Sequence, residues 1–202
     1  EPIVNKSALI GFSVMTIHIK EALKLTALIK QINPKTKVVL GGAHPSIYPD
    51  DICGYPLIDF VVKSEGEETL LELAQALINQ GPNADYSCIR GLVYKNNNGK
   101  VINNPDRQPM DYKGIPPIQW GLIDLKAYIK MPGFSIPFKN TLFVFASRGC
   151  PYKCTFCINS LYASTRIWRP KSIDTVLQEI DSALKICPDI EYINFADENF
   201  FL

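Results

Sequence analysis

The chain has 202 residues, 47% of them hydrophobic and 20% charged, a balance that suits a globular protein with apolar material for one large domain or two small ones. Its 21 basic and 20 acidic residues are spread along the whole sequence and leave a formal net charge of +1, so no polybasic stripe is available for a nucleic-acid backbone or an anionic membrane. The longest apolar runs, such as Leu142 to Ala146, fall far below the roughly 18 residues of a membrane span, and no signal-peptide pattern opens the chain, so a cytoplasmic protein is expected.

In chain order, Ala8 to Ser13 is a short apolar run that reads as a strand. Ala22, Leu25, Leu28, Ile29 and Ile32 then recur at helical spacing until Asn33 and Pro34 end the pattern. A second strand is expected from Lys37 to Leu40, ending on Gly41 and Gly42, and a third from Ile58 to Val62. Helical spacing follows through Leu70, Leu71, Leu73, Ala74, Leu77 and Ile78. Strands alternating with helices imply an α/β fold with a parallel sheet. From Gly91 to Ile102, two short runs flank three asparagines and Gly99, a turn chemistry that predicts a hairpin capping the first domain.

Pro105, Pro109, Pro116 and Pro117 then interrupt a stretch of little periodicity, the best linker candidate in the chain. Beyond it, Thr141 to Ala146 reads as a buried strand and Ser172 as the cap of a helix with an apolar face of Ile173, Val176, Leu177, Ile180 and Leu184. Tyr192 to Ala196 reads as the next strand. The expected organisation is a first domain over 1–103, a linker over 104–140 and a second βαβ unit from 141 to 202. With Glu1 at one end and Phe200, Phe201 and Leu202 at the other, the chain reads as a fragment.

Of the six cysteines, Cys53, Cys88 and Cys187 are isolated, while Cys150, Cys154 and Cys157 crowd into eight residues with spacing C-x3-C-x2-C. Such crowding is unlike a spaced disulfide framework and points to metal chemistry in a reducing compartment. Soft thiolates select iron–sulfur or zinc, and three protein ligands leave one metal position open where electron-transfer clusters and structural zinc sites use four. A zinc loop completed by a distant residue, or three buried free thiols, are the alternatives.

The cysteine triplet, with Phe156 just before its last member and a strand just before its first, resembles the radical S-adenosylmethionine (SAM) superfamily. The resemblance implies a 4Fe-4S cluster held by Cys150, Cys154 and Cys157, with SAM chelating the fourth iron. It also implies reductive cleavage of SAM to methionine and a 5'-deoxyadenosyl radical. In that family the end of the next strand contacts the SAM ammonium, often through glycines followed by glutamate; Asp197 and Glu198 stand there in this sequence, and two loop carboxylates are also ordinary solvated residues. Arg166 and Arg169 offer planar forks for a carboxylate of SAM or substrate, against the plainer reading of surface solvation.

In the first half, Ser13 to Thr16 follows one strand and Gly41 to Ser46 follows the next, at the carboxyl ends of parallel strands, where open α/β sheets bind ligands. A double glycine alone is as well explained by a tight turn. Together these loops resemble the cobalamin-binding domain, and Ser13, Thr16, Gly41 and Gly42 match positions that accommodate the lower nucleotide tail of that cofactor. Glu65 and Gly66 match the acidic glycine turn after the third strand, with Ser64 where the family more often has glycine. Glu67 and Glu68 also suit a helix amino terminus. His44 is not nominated as a cobalt ligand.

The resemblance implies an incomplete Rossmann-like cobalamin-binding domain followed by the first βαβ part of a radical SAM partial TIM barrel. It implies a B12-dependent radical SAM enzyme, methyl transfer to an unactivated carbon being the expected reaction and radical cyclisation, rearrangement or a non-enzymatic zinc or Fe-S metal-binding module the alternatives. The expected partners are a small-molecule substrate and an external electron donor such as flavodoxin or ferredoxin.

Overall fold

The structure is a computed structural model that describes residues 2–81, 84–129, 140–160 and 166–202. It divides into two compact units, Glu1–Pro109 and Met110–Leu202.

In the first unit, a one-turn helix α1 (Pro2–Lys6) leads into β1 (Leu9–Ser13), α2 (Ile19–Ile32), β2 (Lys37–Gly41), the short helices α3 (Ala43–Ile47) and α4 (Pro49–Gly54), β3 (Phe60–Val62) and α5 (Glu67–Gln80). The hairpin β4 (Leu92–Lys95) and β5 (Val101–Asn103) completes it. The five strands form one sheet in the order β1-β2-β3-β4-β5. The first three run parallel, with Ser13 opposite Gly41 and Leu40 opposite Val61, whereas β4 and β5 run antiparallel. The expected α/β sheet is present, and the expected hairpin extends it along the edge of β3 as the last strands of the first unit.

Parallel strands are covered on both faces and so carry near-continuous apolar runs. Val38, Val39 and Leu40 are all buried. Val38, Leu40 and Val61 face one core with Ala22 and Ile29 of α2 and Ile52 of α4, while Val39, Phe60 and Val62 face a second core with Leu73 and Ala76 of α5. The helix α2 stops at Asn33, whose backbone is extended ahead of Pro34. At the amino end of α5, Gly66 is the cap and Glu67 and Glu68 occupy the first turn, where carboxylates complement the helix dipole. Between β4 and β5, Gly99 takes a φ of +75° and the Asn96 side chain accepts the amides of Asn98 and Lys100, which fixes the turn.

The second unit contains α6 (Leu125–Ile129), β6 (Thr141–Val144), β7 (Ser147–Arg148), β8 (Arg169–Pro170), α7 (Ile173–Ile186) and β9 (Tyr192–Phe195). Strands β6 and β9 pair in parallel with α7 between them in sequence, the expected βαβ unit. Ser172 caps α7, its hydroxyl accepting the Thr175 amide at 3.0 Å.

The proline-rich stretch expected as a linker is anchored on both sides of Pro109. Asn104 is buried and donates to the carbonyls of Tyr86 and Ile89, within the first unit. In the second, Trp120, Leu125 and Ile129 pack on Leu142 and Val144. Between Pro105 and Pro117 no helix or strand forms, whereas α6 (Leu125–Ile129) follows them and packs into the core of the second unit. Part of this stretch, residues 130–139, lies outside the described residues.

The apolar face expected for α7 is only partly the buried one. Val176, Glu179 and Ala183 are buried, whereas Ile173 and Leu177 are exposed. Glu179 takes a core position because Lys171 reaches it, as described below.

Candidate functional site

Because β1, β2 and β3 are parallel, their carboxyl ends deliver three loops to one edge of the first sheet. That edge holds every residue expected to contact cobalamin: Ser13 at the end of β1 and Thr16 after it, Gly41 and Gly42 at the end of β2, and Glu65 and Gly66 after β3. Ser13 and Thr16 are exposed and the other four half-buried. The first two loops are stitched by backbone hydrogen bonds: the Val14 amide donates to Gly41 at 2.7 Å and the His44 amide to Val14 at 3.1 Å.

Gly42 is dictated by this stitching. Its φ is +92°, and a Cβ there would lie 2.7 Å from the Val14 nitrogen and 3.0 Å from Ser13 Oγ. Gly41 meets no comparable obstruction; the nearest atom to its Cβ position is the Val62 carbonyl oxygen at 3.5 Å. Ser64 adopts a φ of +54°, the left-handed region, which supplies a physical reason for glycine to be the commoner residue at that position.

Two residues without a role in the sequence reading organise this edge. Ser46 is buried, donates to the Gly42 carbonyl at 2.7 Å and accepts the Ser64 amide at 2.9 Å, so one hydroxyl joins the loops of β2 and β3. His44 Nδ1 lies 3.1 Å from Thr16 Oγ1, joining the loops of β1 and β2, and its ring packs against Tyr48. The structure therefore offers a cradle of exposed hydroxyls, glycine backbone and an acidic turn, a donor and acceptor set that fits a nucleotide tail.

In the second unit, the short antiparallel pair β7–β8 closes the neck of the loop that carries Cys150, Cys154 and Cys157, with Arg148 opposite Arg169. Gly149 enters the loop with a φ of +86°. Cys150 and Cys157 are half-buried and Cys154 is exposed, the Cys157 amide donates to the Cys154 carbonyl at 3.0 Å, and Phe156 is 92% exposed. None of the six cysteines forms a disulfide. Three thiols from one loop are the right donor chemistry for a cluster with one open iron, and Cys187, buried in the core under α7, is not a fourth ligand. Among the described residues, however, no three His, Cys, Asp or Glu side chains are gathered closely enough to hold a metal ion. Residues 161–165 of this loop lie outside the described residues.

After β9, the Asp197 carboxylate accepts the Ala146 amide at 3.1 Å and the Ser147 hydroxyl, tying this strand's end to the start of the cysteine loop. Glu198 is exposed. Arg169 donates to the carbonyls of Ile167 and Met110, so its fork serves the protein's own backbone. Lys171 and Glu179 form an ion pair in which both side chains are almost fully buried, with Lys171 Nζ 2.7 and 2.8 Å from the two carboxylate oxygens. Neither was singled out in the sequence, where an acidic residue in a helical pattern carries no mark of burial.

Residues 4–74 match the family model of the B12 binding domain. Similarity to known proteins continues through the cysteine loop. An anaerobic magnesium-protoporphyrin IX monomethyl ester cyclase of Rubrivivax gelatinosus is 32% identical over 195 residues, 96% of this chain and 34% of that protein. An uncharacterized methyltransferase of Pyrococcus horikoshii is 36% identical over 198 residues, 96% of this chain and 40% of that protein. The solved structure of the cobalamin-dependent S-adenosylmethionine radical enzyme OxsB, with aqua-cobalamin and S-adenosylmethionine bound, shares the fold. It superposes with a TM-score of 0.76 at 24% identity over 98% of this chain and 27% of that one.

The chain therefore carries a B12 binding domain, and its similarity to proteins that include cobalamin-dependent radical SAM enzymes runs on beyond it. The chain spans between a third and two fifths of the length of the two curated relatives above. The region matched by the B12 binding domain covers β1, α2, β2, β3 and the first part of α5, and the cysteine loop follows the first strand of the βαβ unit. Among the described residues, no helix is long and apolar enough to cross a membrane.

Proposed function

We propose that this chain is the cofactor-holding part of a B12-dependent radical SAM enzyme that transfers a methyl group to an unactivated carbon of a small-molecule substrate. The observation that carries the reading is the pairing, in one chain, of a B12 binding domain with three thiols on a loop closed at its neck. In this reading Cys150, Cys154 and Cys157 draw together around a 4Fe-4S cluster when it is inserted, as metal binding commonly orders its own ligands. A cluster held there would, with an external donor such as flavodoxin or ferredoxin, supply the electron for SAM cleavage, and bound cobalamin would supply the methyl carrier.

The protein's own part is to bind and orient. Ser13 and Thr16 offer hydroxyls, and Gly41, Gly42, Glu65 and Gly66 a close backbone edge, to the cobalamin tail. Phe156, exposed just before Cys157, would be available to the cluster and SAM. Glu198 would offer a carboxylate to the SAM ammonium, and Asp197, which holds the loop start, would retain acceptor capacity for the same group.

Radical cyclisation is the second reading, favoured by the 32% identity to a protein named as a cyclase. Both readings need the cluster, and the test begins there. The chain is reconstituted anaerobically with iron and sulfide, and absorption and spin-resonance spectra are taken with and without SAM, beside a Cys150→Ala, Cys154→Ala, Cys157→Ala triple variant. A cluster signal perturbed by SAM and missing from the variant is expected. Stoichiometric zinc without labile sulfide would replace this reading by a structural metal module.

A further inference from the structure

The segment Met110–Trp120 follows the last residue of the first unit and runs past the neck of the cysteine loop. Tyr112, in this segment, is 4% exposed. The Arg148 guanidinium carbon lies 4.8 Å from its ring centroid and Lys171 Nζ 5.5 Å from the same point. Arg148 and Lys171 flank the two ends of the loop that carries the three cysteines: Arg148 is in β7, and Lys171 directly follows β8 and donates its amide to Ala146 at 2.8 Å. One ring therefore meets a cation from each side of the neck.

Two like charges brought to one ring repel, and a buried ammonium needs a counter-charge. Glu179 supplies it, with both oxygens on Lys171 Nζ. The same carboxylate accepts the Ile118 amide at 3.1 Å, and the Glu179 carbonyl accepts Trp120 Nε1 at 2.9 Å. Arg169, the partner of Arg148 across the neck, donates to the Met110 carbonyl at 3.0 Å. The segment is thus pinned at Met110, Tyr112, Ile118 and Trp120 to the two strands that close the loop and to α7. A face-on cation–π contact is strongest when desolvated, as it is here.

We infer that Tyr112, held between Arg148 and Lys171, is a positioning residue that fixes the neck of the cysteine loop and makes segment 110–120 part of the cluster's binding apparatus. The aromatic ring, with its negative face toward each cation, is what holds the two sides of the neck to one object; an aliphatic side chain of similar size fills the space without that attraction. The inference rests on the radical SAM reading for its purpose, and the clamp itself is a property of the metal-free chain.

The test uses the whole chain in both states. Tyr112→Leu removes the ring, Tyr112→Phe keeps it, and Arg148→Met removes one cation while leaving the buried Lys171–Glu179 pair intact. In metal-free protein, alkylation of the half-buried Cys150 and Cys157 is followed peptide by peptide. Buried Cys53, whose thiol burial pushes up to about 11, and buried Cys187 serve as internal controls for unfolding. Tyr112→Leu and Arg148→Met are expected to speed alkylation of Cys150 and Cys157 several-fold with the controls unchanged, and Tyr112→Phe to restore the native rate. The same two variants are expected to hold several-fold less cluster iron after reconstitution.

Unchanged rates at Cys150 and Cys157 in both variants would overturn the clamp. If Tyr112→Leu also exposes Cys187, the unit has unfolded and Arg148→Met alone decides. A native chain that binds no cluster, with the alkylation pattern as expected, would remove the radical SAM reading and leave the clamp standing. Native iron loading by variants whose loops have loosened would overturn the clamp's role at the cluster.

Discussion

Replacing Glu179 by leucine is expected to be among the most damaging single changes in the second unit. The side chain is fully buried, and its two oxygens accept three hydrogen bonds, two from Lys171 Nζ at 2.7 and 2.8 Å and one from the Ile118 amide at 3.1 Å. Glu179→Leu strands an ammonium that is 2% exposed together with a backbone donor, and breaking a buried pair from one side costs about 3–5 kcal/mol. Removing both charges is different. In Lys171→Met/Glu179→Leu only the Ile118 amide is left unsatisfied, a cost of about 1–3 kcal/mol, so the double variant is expected to be more stable than the single one. Both tryptophans, Trp120 and Trp168, lie in this unit, so their emission during urea unfolding reads it without interference from the first. With a urea m-value of about 1.5 kcal/mol/M, a loss of about 3 kcal/mol lowers the midpoint by about 2 M. A single variant that loses less than about 1 kcal/mol, or a double variant no more stable than the single, would refute the argument that this pair is a desolvated ion pair held in place by its partners.

Gly42→Ala is expected to destabilise the first unit by roughly 1–3 kcal/mol and to weaken aqua-cobalamin binding, read by thermal unfolding and by a spectral titration, because its Cβ would meet the Val14 nitrogen at 2.7 Å on a backbone with φ +92°. Ser46→Ala removes the hydroxyl that joins the loops of β2 and β3 and strands the Ser64 amide, at a cost of about 1–3 kcal/mol; denaturation of metal-free and cofactor-free protein checks it. Asp59 is pushed up by burial but held lower by hydrogen bonds from Lys30, the Val38 amide and Lys37, and the net result is a carboxyl below its ordinary value. A depressed folded-state value means stabilisation that is present above the unfolded carboxyl's pKa of about 4 and lost as pH falls through the folded one. Protection of the Val38 amide against hydrogen exchange, measured against its intrinsic rate at each pH, is therefore expected to fall more steeply with acidification in the native chain than in Asp59→Asn; equal slopes would exclude Asp59 as the titrating group.

The elements legible in the sequence were those written in local periodicity or local chemistry. The alternation of apolar runs and helical spacing up to Gln80, the asparagine–glycine turn at Gly99 and the serine cap at Ser172 each depend on residues close in the chain, and each is where it was expected. The Gly41–Gly42 turn was legible as a turn, but which glycine is sterically required became evident only when Val14 was brought against it. Ser46 was invisible because its meaning comes from an amide 18 positions away. Helix α4 did leave a signal that went unread: Pro49 in the first turn, followed by Asp50 and Asp51. At Glu179 periodicity misled, since apolar Ile173 and Leu177 invited burial and the structure buries a carboxylate instead, through a lysine eight residues earlier that precedes the helix. The neck β7–β8 is two residues per strand, too short for any periodic pattern, and it joins positions on either side of a long loop. Local rules reach the elements; the contacts that close a site are between elements.

The relatives divide by reaction while agreeing along this chain. A protein named as a cyclase and one named as a methyltransferase are 32% and 36% identical to it, each over 96% of its residues. What separates those two reactions is therefore not the presence of the B12 binding sheet, nor that of the cysteine loop, since both relatives align across the stretch that contains them. On the function proposed above, the loops at the carboxyl ends of β1, β2 and β3 and the neck at β7–β8 would serve cofactor handling, which both chemistries need. Substitutions at Gly42, Ser46 or Tyr112 should accordingly change how much cofactor is held and leave the identity of the product untouched. A variant at one of these positions that altered the product while keeping full cofactor occupancy would place reaction choice inside this part of the fold.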